Sequence, residues 1–374
     1  MEHRGTTPSG GIRPSELVAL SEQPGPVLTV YLTTEPAIDN AAHRAEQRWK
    51  TMRTDLAEAA PERVLAAVDP FVTDAHLHGA CLAVVAGDDG VRHVEHGTEP
   101  PARDMASWSS VPRMVPLLSW RQAAPAYVLV LADRTGADIV AVRFEGPDIR
   151  VEAGGATGPI TKSAPGGWSQ RRYQQRAENT WEHNADDVAR RLESLVAGTG
   201  ARLVLMGGDV RARQLVRESL PREVLGLVEE ITGSRTPDGS ELVTAVEVAR
   251  LVATLAARDT TELLRKFREE RGQHDRAADG PEATIDALQR SQVEVLLVPH
   301  DAYDDAARAW FGPQPTHIGA TAQDVRSLGV AEPTEGPRTD VLVRAALGTG
   351  AAVRVIPRAA APTRGVGAIL RWTS

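Results

Sequence analysis

Three short runs in the middle of the chain decide its architecture: Tyr127-Val-Leu-Val-Leu131, Ile139-Val-Ala-Val-Arg-Phe144 and Leu203-Val-Leu-Met206. The first two are apolar and β-branched and are joined through Asp133-Arg-Thr-Gly136, a turn sequence, so they predict a hairpin. The third is apolar throughout, as a strand covered on both faces must be. A Gly/Ala/Pro-rich stretch, 154–167, leads into a helical pattern from Ser169, the expected N-cap, to about Ala197. Tyr173, Ala177, Trp181, Val188, Leu192 and Leu195 lie along one side of it. After the third run come Gly207-Gly-Asp209, a helix over 210–220, a strand-like 224–231 and a long helix over 240–271. Strands alternating with helices mean a sheet covered by helices.

The flanks read the same way. Upstream, Val27-Leu-Thr-Val-Tyr-Leu32 predicts a strand, and 41–59 a helix with Trp49, Met52 and Leu56 at spacings of three and four. Residues 79–86 and 91–95 flank the turn Gly87-Asp-Asp-Gly90, and Pro112, Pro116 and Pro125 mark a boundary near residue 123. Downstream of Gly280-Pro281 the pattern predicts helices over 282–290, 304–311 and 340–347, strands over 293–298 and 352–356, and a last strand in Gly365-Val-Gly-Ala-Ile-Leu-Arg-Trp372. The expectation is an α/β protein of three domains: 1–122, 123–276 and 277–374.

Composition limits the function. The chain has 374 residues, 42% of them hydrophobic and 25% charged, which excludes a disordered or collagen-like protein. Its single cysteine, Cys81, removes a disulfide framework and any multi-cysteine zinc site. No apolar leader and no run of about 18 apolar residues is present, so a cytoplasmic protein without membrane partners is expected. A net charge of −8 opposes bulk attraction to nucleic acid, and DNA is not an expected partner. One local exception exists. Between Ala153 and Ala177 there is no Asp or Glu, while Lys162, Arg171, Arg172 and Arg176 are positive.

That basic segment contains Gly166-Gly167-Trp168-Ser169-Gln170-Arg171-Arg172-Tyr173, placed after a hairpin and before a long helix. It resembles the Gly-Gly-Gln loop of the class I release factors of archaea and eukaryotes and their bacterial relatives, which include Pelota-like factors and the hibernation factor Balon. The C-terminal Gly365 to Trp372 run, preceded by Thr284-Ile-Asp-Ala-Leu288 and Val293-Glu-Val-Leu-Leu-Val298, resembles the same family's last domain. The resemblance, of actinobacterial type, implies a mixed α/β N-domain, an RNase H-like central domain and an α/β/α C-terminal domain. It further implies binding to the ribosomal A site, with the 154–176 loop near the peptidyl-transferase centre, in ribosome hibernation or protection. An elongation factor of the Tu type is implied as delivery partner or neighbour, and no cofactor or metal.

The departures are informative. Glutamine, the third residue of the release-factor tripeptide, is replaced by Trp168, whose indole has one N–H donor and no acceptor to orient a water. The Asn-Ile-Lys-Ser and Tyr/Cys/Phe elements that read stop codons are absent from the N-terminal segment. Binding is therefore expected from Lys162, Gly166, Gly167, Trp168, Ser169, Gln170, Arg171, Arg172 and Arg176, by phosphate contacts and by indole stacking on bases. The competing expectation is an enzyme, a peptidyl-tRNA hydrolase that rescues stalled ribosomes, with Gln170 positioning water.

Other candidates have plainer readings. His76, His78, His93 and His96 lack an evident third metal ligand. Asp133 sits where a nuclease-like sheet can hold a metal carboxylate, yet Asp133-Arg-Thr-Gly136 is a ready-made turn. Gly207-Gly-Asp209 has neither dinucleotide-binding nor Walker spacing. Cys81 lies inside an apolar strand, as a small core residue.

Overall fold

The β-branched run from Val27 becomes β1 (Val27–Thr33), the centre of an antiparallel sheet with β2 (Cys81–Gly87), β3 (Gly90–Gly97) and β4 (Met105–Ser109), in the order β3-β2-β1-β4. The computed structural model describes residues 14–23, 25–35, 40–97, 100–144, 147–154, 167–236, 239–273, 276–301, 306–362 and 365–372, and only the backbone over 167–180. It has two units, one made of Met1–Gln122 with Asp259–Ser374 and the other of Ala123–Arg258. In the first, α1 (Ser15–Glu22) precedes β1, and α2 (Ala41–Leu56), α3 (Glu62–Ala66) and α4 (Asp69–Thr73) follow it. Leu28, Val30 and Leu32 bury one sheet face against Trp49, Val64 and Leu65. On the other face, the Tyr31 ring meets Trp120 of α5 (Val115–Ala123) edge-on at 5.6 Å, and its hydroxyl donates to the Arg113 carbonyl at 2.7 Å. Pro116 does not break this helix, because it stands in the first turn, where no N–H partner is lost.

The second unit begins with β5 (Tyr127–Asp133) and β6 (Gly136–Val142), the expected hairpin, and adds β7 (Ile149–Gly154). The backbone of α6 (Gly167–Thr199) follows, then β8 (Val204–Gly208), α7 (Val210–Ser219), α8 (Arg222–Leu225), β9 (Val228–Glu230) and α9 (Glu241–Gln273), whose residues up to Arg258 belong to this unit. Strand order is β7-β6-β5-β8-β9, with β8 and β9 parallel to β5. This is the RNase H-like order of three antiparallel strands extended by two parallel ones. Val128, Val130, Val204 and Met206 face Val188 and Leu192 of α6 and Leu215 of α7. Leu129 and Leu205 face Val248, Leu251 and Leu255 of α9. Hence the unbroken apolar run at 203–206. Leu192, fully buried, contributes about 1.5–3 kcal/mol.

Two readings need correction here. The helix starts at Gly167, two residues before Ser169, so Trp168 and Ser169 belong to its first turn and Ser169 is not its N-cap. The strand expected over 224–231 is shortened, because Pro221 opens the one-turn α8 and pairing begins only at Val228.

The remainder of the first unit has a sheet of β10 (Ala277–Asp279), β11 (Val293–Pro299), β15 (Ala352–Ile356) and β16 (Gly367–Leu370), in the order β10-β16-β11-β15. Leu263, Leu264 and Phe267 of α9 cover one face. Helices α10 (Pro281–Gln289) and α12 (Arg338–Gly348) contact β11, completing the α/β/α layering. A small sheet of β12 (Arg308–Phe311), β13 (Ile318–Gly319) and β14 (Thr334–Pro337) lies between them in sequence, with α11 (Ala322–Ser327). The helix expected over 304–311 is thus wrong at its described end. Ala309 and Phe311 are buried while Arg308 and Trp310 are not, a period of two that suits a strand paired on both sides.

Within this unit Gln122 and Arg113 both tie the early segment to the late one. The Gln122 side-chain amide donates to the Val355 carbonyl at 2.5 Å and accepts from the Val355 N–H at 2.9 Å. It thereby satisfies the outer edge of β15 as a neighbouring strand would. One residue earlier on that strand, Arg354 donates to the Thr260 hydroxyl at 2.6 Å. Deeper, Arg113 lies 3.7 Å from Asp340, both buried. Burial pushes the Asp340 carboxyl up to about 7 against the pull of Arg113, and its Oδ2 has no hydrogen-bond partner.

Candidate nucleic-acid interface

The end of the central sheet where the basic segment departs is built around two glycines. Gly136 and Gly154 pair across β6 and β7, and the chain leaves β7 at Gly154 to return as α6 at Gly167. A Cβ on Gly154 would lie 2.7 Å from the Gly136 Cα, and its φ is +84°. One on Gly136 would collide with the Ala153 carbonyl oxygen. Only glycine fits at the root of this arm.

The adjoining turn is clamped by charge. Asp133 Oδ1 accepts from the Thr135 N–H at 2.7 Å, the Thr135 hydroxyl at 2.6 Å and the Gly136 N–H at 3.0 Å. Arg235 reaches in from the segment before α9, donating to Asp138 at 2.8 Å and to the Thr135 hydroxyl at 3.0 Å, with Asp133 at 3.4 Å. Burial alone would raise the Asp133 carboxyl, but the Thr135 and Gly136 hydrogen bonds and the charge of Arg235 hold it below its ordinary value. Asp133 is therefore a turn cap and not an open metal ligand.

Beside the turn, Arg134 lies over the Trp181 ring of α6, its guanidinium carbon 5.0 Å from the ring centroid. Its Nε is 3.5 Å from Asp209, and its carbonyl accepts from the Asn184 amide at 3.3 Å. Asp209 caps α7, accepting from the Arg211 and Ala212 N–H groups, each at 3.0 Å. A carboxylate therefore occupies the amides a phosphate would seek, and Gly207-Gly-Asp209 is not a phosphate cradle. Its second glycine exists because a Cβ on Gly208, at φ +111°, would collide with the Ala132 carbonyl oxygen.

Of the residues expected to contact RNA, Lys162 and Gly166 lie outside the described residues. Gly167, Trp168, Ser169, Gln170, Arg171, Arg172 and Arg176 follow one another along the first turns of α6, and their side chains also lie outside the described part. The structure therefore brings the backbone of seven of them onto one helix that starts at the arm's return. Sequence reading missed Arg134, Asn184, Arg211 and Arg235; Trp181, read as core, does pack against the core and also carries Arg134 on its ring. The signal was faint: an arginine inside a turn motif, and a tryptophan at the wet end of an amphipathic helix.

In the first unit, His93 Nε2 lies 3.1 Å from Glu95, which Arg121 also holds at 2.9 Å. The rings of His78 and His96 are 4.9 Å apart, and burial and the neighbouring His78 lower the His96 pKa. No group of three His, Cys, Asp or Glu side chains able to hold a metal occurs among the described residues. Cys81 is buried, and burial pushes its thiol up to about 12, which keeps it protonated and unreactive. Among the described residues no helix is long and apolar enough to cross a membrane.

Comparison with known proteins finds a family model that matches the segment holding this site. Residues 126–273 match the model of bacterial archaeo-eukaryotic release factor family 2. "Uncharacterized protein Rv2629" of Mycobacterium tuberculosis strain H37Rv is 27% identical over 361 residues, 94% of each chain. Among solved structures, Archaeoglobus fulgidus Pelota aligns at 13% identity over 97% of this chain and 96% of its own, with a TM-score of 0.36. An archaeal translation termination factor, aRF1, aligns at 14% identity over 95% and 96%, with a TM-score of 0.27. Over residues 126–273 the chain is thus similar to family 2 of the bacterial archaeo-eukaryotic release factors.

Proposed function

We propose that the protein is a ribosome-binding translation factor that occupies the A site and places its 154–176 arm near the peptidyl-transferase centre, protecting idle ribosomes without cleaving peptidyl-tRNA. The observation that carries this reading is the acid-free basic run hinged at Gly154 inside a release-factor domain, with Trp168 where glutamine does the water chemistry. A plug needs phosphate contacts and a stacking face, and Lys162, Arg171, Arg172, Arg176 and Trp168 supply those groups. On this reading the domains are 1–122, lying near the decoding site, 123–276 and 277–374. The protein acts in the cytoplasm, needs no cofactor, and works beside an elongation factor of the Tu type.

The test is association with 70S ribosomes. Arg171→Glu combined with Arg172→Glu is expected to weaken association and to flatten its salt dependence by about two phosphate contacts. Unchanged association would remove the arm from the interface. The enzymatic alternative has its own readout, since release of peptide from loaded ribosomes that vanishes in Gln170→Ala would overturn the binding-only reading.

A further inference from the structure

We propose that Arg134, lying on Trp181 at the edge of the central sheet, is a stacking platform for a base of single-stranded RNA. This rests on the ribosome-binding reading for its setting and deepens it by adding a contact outside the arm. The guanidinium is held before any ligand arrives: the indole lies beneath it at 5.0 Å, Asp209 holds its Nε at 3.5 Å, and Asn184 fixes the backbone carbonyl behind it. A side chain already immobilised loses little entropy on binding. Its upper side remains open, with 55% of the side chain exposed. A planar, weakly hydrated guanidinium stacks on bases as an aromatic ring does, which a lysine ammonium cannot do.

A second observation points into the same place. Asn184 is only 3% exposed, and its Oδ1 has no partner, although a buried amide oxygen left unsatisfied is destabilising. It lines a cleft with Trp181, Arg134 and Arg211 whose inner space is about 10 Å³, room for one water. That water would give the Asn184 oxygen its donor and offer its remaining hydrogen-bonding capacity to a base edge at the mouth. The site is two residues from Gly136, which pairs with Gly154 at the last described position before the acid-free segment.

The test titrates full-length protein into a fluorescent twelve-residue oligoadenylate and, separately, into 70S ribosomes. Arg134→Ala is expected to weaken oligoadenylate binding roughly 5- to 150-fold, the range for loss of one stacked base. Arg134→Lys keeps the charge and loses the plane, and is expected to match the alanine variant; full rescue by lysine would overturn stacking. Thermal unfolding of both variants should match that of the parent, and if alanine alone destabilises the unit, the lysine variant decides. Binding to ribosomes but not to oligoadenylate, or crosslinking of the 133–139 peptide to ribosomal protein only, overturns the platform and leaves the proposed function standing. Binding to oligoadenylate that Arg134→Ala weakens, without binding to ribosomes, keeps the platform and sinks the proposed function.

Discussion

Arg235 and Arg113 each hold a carboxylate, in opposite surroundings. Arg235 at the arm root is partly exposed and binds Asp133 and Asp138, and Asp133 also accepts from a hydroxyl and two backbone N–H groups. Arg113 faces Asp340 Oδ2 at 3.7 Å, out of water, and that oxygen accepts no hydrogen bond. The first arrangement shapes a turn at little energetic cost or gain. The second stores an electrostatic liability in the seam between the early and late segments of the first unit. Attraction in a dry interior is strong, but it only offsets the desolvation of both ions.

The largest effect that would sharpen this contrast is from Arg113→Met. Leaving Asp340 buried without its cation should cost about 3–5 kcal/mol of stability at pH 8, measured by denaturant titration. A loss below 1 kcal/mol would place the two ion pairs in one class. Next, because the folded state holds the Asp340 proton more tightly than the unfolded state, its contribution is full below the ordinary carboxylate range. It is lost as pH climbs to about 7. Stability should therefore fall with rising pH by up to about 1.4 kcal/mol per unit in that window, and Asp340→Asn should flatten the slope. Gly154→Ala should cost the second unit about 1–3 kcal/mol, since alanine is strained at a φ of +84°. Smallest is Arg235→Ala, at most about 1 kcal/mol for a solvent-screened network; a larger loss would mean the turn depends on it.

The contrast also separates what the sequence discloses from what it hides. The runs at 127–131, 139–144 and 203–206 announce a covered sheet because hydrophobic period and turn chemistry are local. Glycine and proline placement likewise exposes the arm. The Arg308–Phe311 strand is obscured because four residues are too few for a period of two to outweigh the helix-forming alanines before it. The Arg134–Trp181 stack is invisible because its members are far apart in the chain and meet only when α6 packs on the sheet. Arg113 and Asp340 are farther apart still, and neither residue type advertises burial.

The contacts of β15 carry one more consequence. Gln122 grips Val355 just before the chain departs into 123–258, and Thr260 grips Arg354 just after it returns. Exit and re-entry are therefore moored to adjacent residues of a single strand, on either side of an insertion in the sequence. Replacing 123–258 by a few glycines should leave the host half able to close its own core. The same two moorings allow the excised portion to be exchanged for its counterpart from a relative, so that what the arm does and what the host does can be measured in separate proteins.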